Sequence, residues 1–314
     1  MVETDALIPE SLRALMAGRA ADGAGLPDGE AWLRSVPKTL ETLLGTWRLT
    51  PDGPSMHGQC ALVVPVRRGS ERLALKLAWP HAEARHEHLA LRAWRGVGAV
   101  KLVAAEPSSW ALLLERCRPA TQLVEMSSLD AAETIGAIHR RLAVPALPQL
   151  DTASAWCGRI AERLTGEELP MPRRFVTQGV SLARSLAQER GVDATLVHSD
   201  LHDDNVMSVT RAGAVGGLVA IDPKPVAGNL ALAVAPLLWN RWDEAADAYN
   251  LRNHLRFRVD YACDPMGVAP EAARAWTIIR VLANAWWACH DARERRAPAP
   301  DLTREVAIIK AMQG

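Results

Sequence analysis

His198-Ser199-Asp200-Leu201-His202-Asp203-Asp204-Asn205 is followed, seventeen residues after Asn205, by Asp222 in Ile221-Asp222-Pro223-Lys224. Asp200 and Asn205 stand five apart. Those residue types suit phosphoryl transfer. The chemistry asks for one carboxylate to accept or orient a hydroxyl, and for hard oxygen ligands to hold Mg²⁺ on phosphates. Asp200 is the candidate base, with His198 and His202 as catalytic-site neighbours, and Asn205 and Asp222 are the candidate metal ligands. Two other readings stand beside this one. His198, Asp200 and His202 are possible ligands of a transition metal, and an Asp-rich stretch is often a plain turn or helix cap. A metallohydrolase leaves Asn205 and Asp222 without work, and no H-E-x-x-H occurs.

The five-residue step from Asp200 to Asn205 is that of the kinase loop H-R-D-x-x-x-x-N. The link to Asp222 fits it. Val206-Met207-Ser208-Val209 is apolar, Arg211 to Gly217 is turn-rich with three Gly, and Leu218-Val219-Ala220-Ile221 is apolar again. This is the pattern of a hairpin with a long loop, which returns the chain to its start and brings Asn205 and Asp222 to one mouth. Thr195-Leu196-Val197 reads as a short strand leading in.

The 314-residue chain is long for one core and suits two lobes. Hydrophobic residues make up 49%, enough for a sizeable core. The 36 basic and 36 acidic residues cancel, which argues against general nucleic-acid binding. Five Cys at 60, 117, 157, 263 and 289 form no C-x-x-C pair and suggest reduced thiols in a cytoplasm. Met1 to Asp5 lacks a signal-peptide charge pattern, and no run of 18 apolar residues exists, so no membrane partner is expected. A monomer or weak dimer is the expected state.

The expected architecture is α+β, a bilobal protein-kinase-like fold. Its small lobe has an antiparallel sheet and one main helix, and its large lobe is mostly helical. Residues 1–29 read as an N-terminal helical extension, 30–118 as the nucleotide-binding lobe and 119–314 as the large lobe with the catalytic loop and acceptor site. Helices are expected over 9–18 and 29–35, and strands over 47–49, 60–67 and 72–79. A helix over 82–95 ends at Gly96 and Gly98, and strands follow over 100–104 and 111–115. From 128 onward helices are expected over 129–142, 152–164, 173–190, 241–262 and 271–296, with a last short helix after Pro298 and Pro300.

Lys76 lies inside the apolar strand Leu73-Ala74-Leu75-Lys76-Leu77-Ala78. A lysine is costly to bury there unless paired, and the bland alternative is an outward, solvated side chain. Its place on the third strand points to a phosphate-binding role, with Glu87 as first and Glu83 as second carboxylate partner. Asp52 to Gly58 is either a loop over phosphates or a plain hairpin loop. Glu115-Arg116-Cys117 stands where adenine would pair with backbone.

These residues together resemble the aminoglycoside phosphotransferase family, and within it the streptomycin phosphotransferase and hydroxyurea kinase group. The family loop H-G-D-L-H-x-x-N is matched by His198, Asp200, Leu201, His202 and Asn205, with Ser199 in place of Gly. The group's I-D-P-x-x-x-x-G is matched by Ile221, Asp222, Pro223 and Gly228. Gly98-Ala99-Val100-Lys101-Leu102 is similar to its G-A-V-R-L-L strand, and Leu112 to Arg116 to its M-L-L-E-R strand. The resemblance implies ATP and Mg²⁺ as cofactors and transfer of the γ-phosphoryl to a small-molecule hydroxyl, with Asp200 as base and Asn205 and Asp222 on the metal. One departure touches the bracing of the loop. Where the family often has acids after that Gly, this chain has Asn229 and Ala233.

Arg280, Asn284, Trp287 and Asp291 are spaced 4, 3 and 4, and so share one face of a helix. They either brace the large lobe or, as a similar stripe in the streptomycin group implies, wall a pocket. Asp204, Asn284, Trp287 and Asp291 are the candidate substrate contacts for a hydroxylated, cationic acceptor. Asp243, Glu244 and Asp247 are further acids that would favour such a substrate. The best functional reading is an antibiotic kinase acting on a streptomycin-type aminoglycoside at its 6-hydroxyl. The alternatives are a hydroxyurea or amino-sugar metabolite kinase, or a weakly active nucleotide-binding relative.

Overall fold

The computed structural model describes residues 3–314. Arg68 and Glu71 face each other across a two-residue turn in which Gly69 takes φ 60°, a left-handed value that glycine adopts at little cost. That turn joins Ala61–Arg68 to Glu71–Ala78. The second of these also pairs with Ala111–Glu115, which pairs in turn with Leu102–Glu106. Thr50–Pro51 and Met56–His57 line the outer side of Ala61–Arg68, and every pairing in this six-stranded sheet is antiparallel.

The chain divides into two compact units after Arg118. In the first unit one face of the sheet supplies Leu62, Val64, Leu73, Leu75 and Leu77 to a core shared with Leu12, Met16, Trp32 and Leu40. The helix expected to stop at 35 runs from Gly29 to Thr46, straight through Pro37. An interior proline costs about 3 kcal/mol. Burial of Trp32, Val36, Leu40, Leu43 and Leu44 along one face outweighs that. Asp28 caps its start by accepting the Ala31 N–H. The helix expected over 82–95 is a short 3₁₀ turn, Ala82–Ala84, followed by Glu87–Trp94. Arg95 and Gly96 end it with positive φ.

The second unit, Pro119–Gly314, is mostly helical. Ser128–Leu142 packs on Leu251–Met266 so closely that a Cβ on Gly136 would lie 2.3 Å from the carbonyl oxygen of Ala262. The single helix expected over 241–262 is two, Trp242–Ala246 and Leu251–Met266. Asn250 starts the second by accepting the Asn253 N–H, so local capping wins over a continuous apolar pattern. Pro270–Glu294 is the longest helix among the described residues, and Thr303–Met312 closes the chain. Val206–Ser208 and Leu218–Ala220 form the expected antiparallel hairpin. Thr195–His198 lies between Val144–Pro145 and Pro225–Gly228, both antiparallel to it. The sequence reading missed Pro225–Gly228, because Pro-Val-Ala-Gly carries almost no strand signal.

Candidate active site

The loop begins where Thr195–His198 ends, at a fully buried histidine. His198 Nδ1 accepts the Asp200 N–H at 3.2 Å, so Nε2 carries the ring proton and donates it to the Ile221 carbonyl at 3.0 Å. Burial holds its pKa down at about 4, against the pull of that carbonyl and of Asp200 and Asp222. His198 is therefore neutral near pH 7, and both ring nitrogens are engaged. That removes it as a transition-metal ligand. Among the described residues no group of three or more His, Cys, Asp or Glu is placed to hold a metal.

Ile221 is strapped from both sides. Its carbonyl takes the His198 proton, and its N–H donates to the Asn205 carbonyl at 2.9 Å. With Val206 opposite Ala220 in the hairpin, this puts Asn205 and Asp222 at the same end of that ribbon. Asp222 then takes φ 51°, an uncommon value for a residue with a side chain. The Asn205 amide is turned by its own donors. Nδ2 lies 2.8 Å from the Asp200 carbonyl and 3.2 Å from His202 Nε2. Because the amide is planar, Oδ1 points the other way. One amide oxygen and one carboxylate are the hard donors that Mg²⁺ takes, so these residues fit that ion.

Ser199, which stands where the family has Gly, is engaged at three atoms. Its N–H and Oγ donate to the Lys224 carbonyl at 3.0 and 2.9 Å, and its own carbonyl accepts from Arg280 Nη2 at 2.9 Å. Lys224 Nζ lies 2.8 Å from Asp200 Oδ2. Asn229 caps the following 3₁₀ turn through the Ala231 N–H, and Ala233 is buried. Arg280 and Ser199 thus brace the loop where the acids at 229 and 233 are missing.

The rest of the loop is held from Asn240 and Arg241. Asn240 Nδ2 donates to Asp204 Oδ2 at 2.9 Å and lies 3.3 Å from His202 Nδ1. Arg241 is 3.4 Å from Asp203 and donates to the Met126 carbonyl at 2.8 Å. Burial raises the Asp203 pKa, and Arg241 works against that rise. The buried Arg258 donates to the carbonyls of Leu237, Asn240 and Arg241. Lys224, Asn240, Arg241 and Arg258 escaped sequence reasoning, since each meets its partner through folding rather than through spacing. Asp204 keeps its carboxylate largely exposed.

In the first unit Lys76 is paired with Glu87 at 2.7 Å to both carboxylate oxygens. Glu83 lies one turn earlier, in the 3₁₀ segment. Glu115 Oε1 accepts the Lys101 N–H, and the Glu115 N–H donates to the Lys101 carbonyl, so both are taken up inside the sheet. The Arg116 guanidinium laces the Leu73 and Val66 carbonyls to Asp52. Cys117 lies beside them, half-buried. In the loop before Met56–His57, Ser55 Oγ is buried without a hydrogen-bond partner among the described residues.

The helical stripe is split in its contacts. Arg280 reaches the catalytic loop, while Asn284 is exposed and Trp287 is 48% exposed. Arg163 stacks over the Trp287 ring at 4.5 Å, and Asp291 pairs with Arg295 at 2.8 Å. At about 1.5 Å per residue, Asp291 lies about 16 Å along the helix from Arg280. The stripe therefore starts at the loop and runs away from it along a solvent-facing surface. Asp243 and Asp247 are also exposed, and Glu244 is bound to Arg241.

A small antiparallel sheet with one main helix, a helical unit and an Asp-Asn loop feeding a hairpin define the protein-kinase-like fold. Solved structures agree. A thermostable mutant of the aminoglycoside phosphotransferase APH(4)-Ia, in ternary complex with ADP and hygromycin B, superposes with TM-score 0.54 at 16% identity, over 87% of this chain and 98% of that one. Residues 46–292 match the family described as aminoglycoside/hydroxyurea antibiotic resistance kinase, and the chain belongs to it. It is 32% identical to the streptomycin 6-kinase of Streptomyces glaucescens, over 98% of this chain and 97% of that protein. It is also 32% identical to the hydroxyurea phosphotransferase of Kitasatospora aureofaciens, over 91% and 81%.

Proposed function

We propose that this kinase moves the γ-phosphoryl of ATP to a hydroxyl of a streptomycin-type aminoglycoside, the 6-hydroxyl first, and so confers resistance. The observation that carries the reading is the Asp200–Asn205 loop. A half-buried carboxylate is held beside an amide whose oxygen is turned outward by its own donors. Asp200 takes the acceptor's hydroxyl proton as the new O–P bond forms and the bond to the leaving ADP oxygen breaks. Asn205 Oδ1 and the Asp222 carboxylate would hold Mg²⁺, which would neutralise charge on the phosphates. His198 keeps one tautomer and positions Asp200 and Ile221 rather than moving protons itself. Lys76, fixed by Glu87, contacts the nucleotide phosphates, and the backbone at Glu115 to Cys117 takes the adenine. Asp204, Asn284, Trp287 and Asp291 offer carboxylates and an aromatic face to a cationic acceptor.

A hydroxyurea or amino-sugar acceptor is the second reading, favoured by the equal identity to a hydroxyurea phosphotransferase. ATP consumption measured with streptomycin, other aminoglycosides, hydroxyurea and simple amino sugars separates the two. Streptomycin-dependent turnover with product phosphorylated at the 6-hydroxyl is expected. Turnover with hydroxyurea alone selects the second reading, and no turnover with any acceptor refutes both. Among the described residues no helix is long and apolar enough to cross a membrane.

A further inference from the structure

We propose that Lys224 is a positioning residue for phosphoryl transfer, setting which oxygen of Asp200 meets the acceptor hydroxyl. The inference rests on the reading of Asp200 as the base. Lys224 Nζ lies 2.8 Å from Asp200 Oδ2, and the two side chains are 33% and 20% exposed. An ammonium on one oxygen fixes the plane of the carboxylate and leaves Oδ1 for the acceptor. A free surface pair would be worth little, because ordering a long lysine side chain costs as much as the contact returns. Here the backbone fixes the point from which the side chain starts, and both groups are partly shielded from water. Pro225 faces His198 in the strand pair, and one step further the Lys224 carbonyl receives both the N–H and the Oγ–H of Ser199. Arg280 holds the Ser199 carbonyl from the long helix. Lys224 and Asp200 are thus joined twice, by main chain through Ser199 and by side chain directly.

The chemistry makes this geometry matter. Phosphoryl transfer has a loose transition state in which placement of the acceptor counts for more than base strength. A misplacement of about 1 Å costs about a hundredfold in rate. Lys224 also lies two residues after Asp222, so the same short segment carries a candidate metal ligand and the group that orients the base.

The test is steady-state kinetics of the full chain with ATP and whichever acceptor of the panel above supports turnover, for Lys224→Met, Lys224→Arg, Asp200→Asn and the Lys224→Met/Asp200→Asn pair. Lys224→Met is expected to lower kcat about tenfold to a hundredfold while both KM values move less than about threefold. Lys224→Arg recovers part of the loss. In the Asp200→Asn background, Lys224→Met changes kcat less than about twofold, because it acts through Asp200. Should Lys224→Met fail to fold, Lys224→Gln is held to the same criteria. Unchanged kcat in the single variant overturns the proposal. So does an equal loss in both backgrounds, which would put the ammonium on the phosphoryl group instead. A wild-type chain with no activity on any acceptor refutes the underlying reading and this one together, whereas an active wild type with an indifferent Lys224 variant refutes this one alone.

Discussion

Both carboxylate oxygens of Glu87 lie 2.7 Å from Lys76 Nζ, and the pair is buried at 3% and 6% exposure. Such a pair is strongly destabilised when one partner is lost, by about 3–5 kcal/mol, because the other charge is left buried. Glu87→Ala should therefore lower the midpoint of urea unfolding clearly. Lys76→Met/Glu87→Leu should recover most of that stability yet leave turnover as low as in Glu87→Ala. Recovery of both in the double variant would show that the pair serves packing alone.

Asp200→Ala should reduce kcat by about 10²–10⁴-fold and leave ATP affinity near the wild-type value. Titration calorimetry with a non-hydrolysable ATP analogue reads the second half. A folded Asp200→Ala protein that turns over like wild type would sink the kinase mechanism given above.

Asp291 holds Arg295 one turn on, in an exposed pair worth about 0.3–0.5 kcal/mol. Asp291→Ala should leave the melting temperature within a degree or two, raise KM for a cationic acceptor and barely move KM for ATP. Equal rises in both KM values, or loss of folding alone, would return the stripe to a bracing role.

Acid should weaken the fold through two histidines. His198 and His139 are fully buried, with pKa values lowered by burial to about 4 and about 3. Unfolded, both sit near 6.5. The unfolded chain thus takes up protons that the folded one refuses. Stability falls as pH drops below about 6.5, and the fall continues until the folded values are reached. His139 Nδ1 and Nε2 have no hydrogen-bond partner among the described residues. His139→Leu should then melt at a higher temperature than wild type at pH 5, with a smaller gain at pH 7. The same pH slope in both proteins would clear His139.

Ser199→Gly restores the family residue and removes one hydrogen bond to the Lys224 carbonyl. A net loss of about 0.5–1.5 kcal/mol is expected, with activity reduced rather than abolished. Full loss of activity with intact folding would mean that the hydroxyl does more than strap the loop.

The candidate base and metal ligands were legible because chain connectivity does most of the placing. Asp200 and Asn205 share one loop, and the hairpin from Val206 to Ala220 brings the chain back beside Asn205 whatever its tip does. The ion pair of Lys76 was legible for a different reason, since a lysine inside an apolar strand must find a carboxylate and the next helix offered two. Lys224 was not. Its partner is 24 residues away, and a lysine after Asp-Pro reads as solvated. The helix expected over 29–35 runs on through Pro37 to Thr46, because the tertiary burial of Leu40, Leu43 and Leu44 outweighs the local cost of the proline and leaves no short-range signal of its own.

The guanidinium of Arg258 holds three main-chain carbonyls of one short stretch, those of Leu237, Asn240 and Arg241. A segment suspended in that way keeps its course when its side chains are exchanged. Asn240, whose side chain meets His202 and Asp204, therefore reaches the catalytic loop from a main chain that is itself anchored.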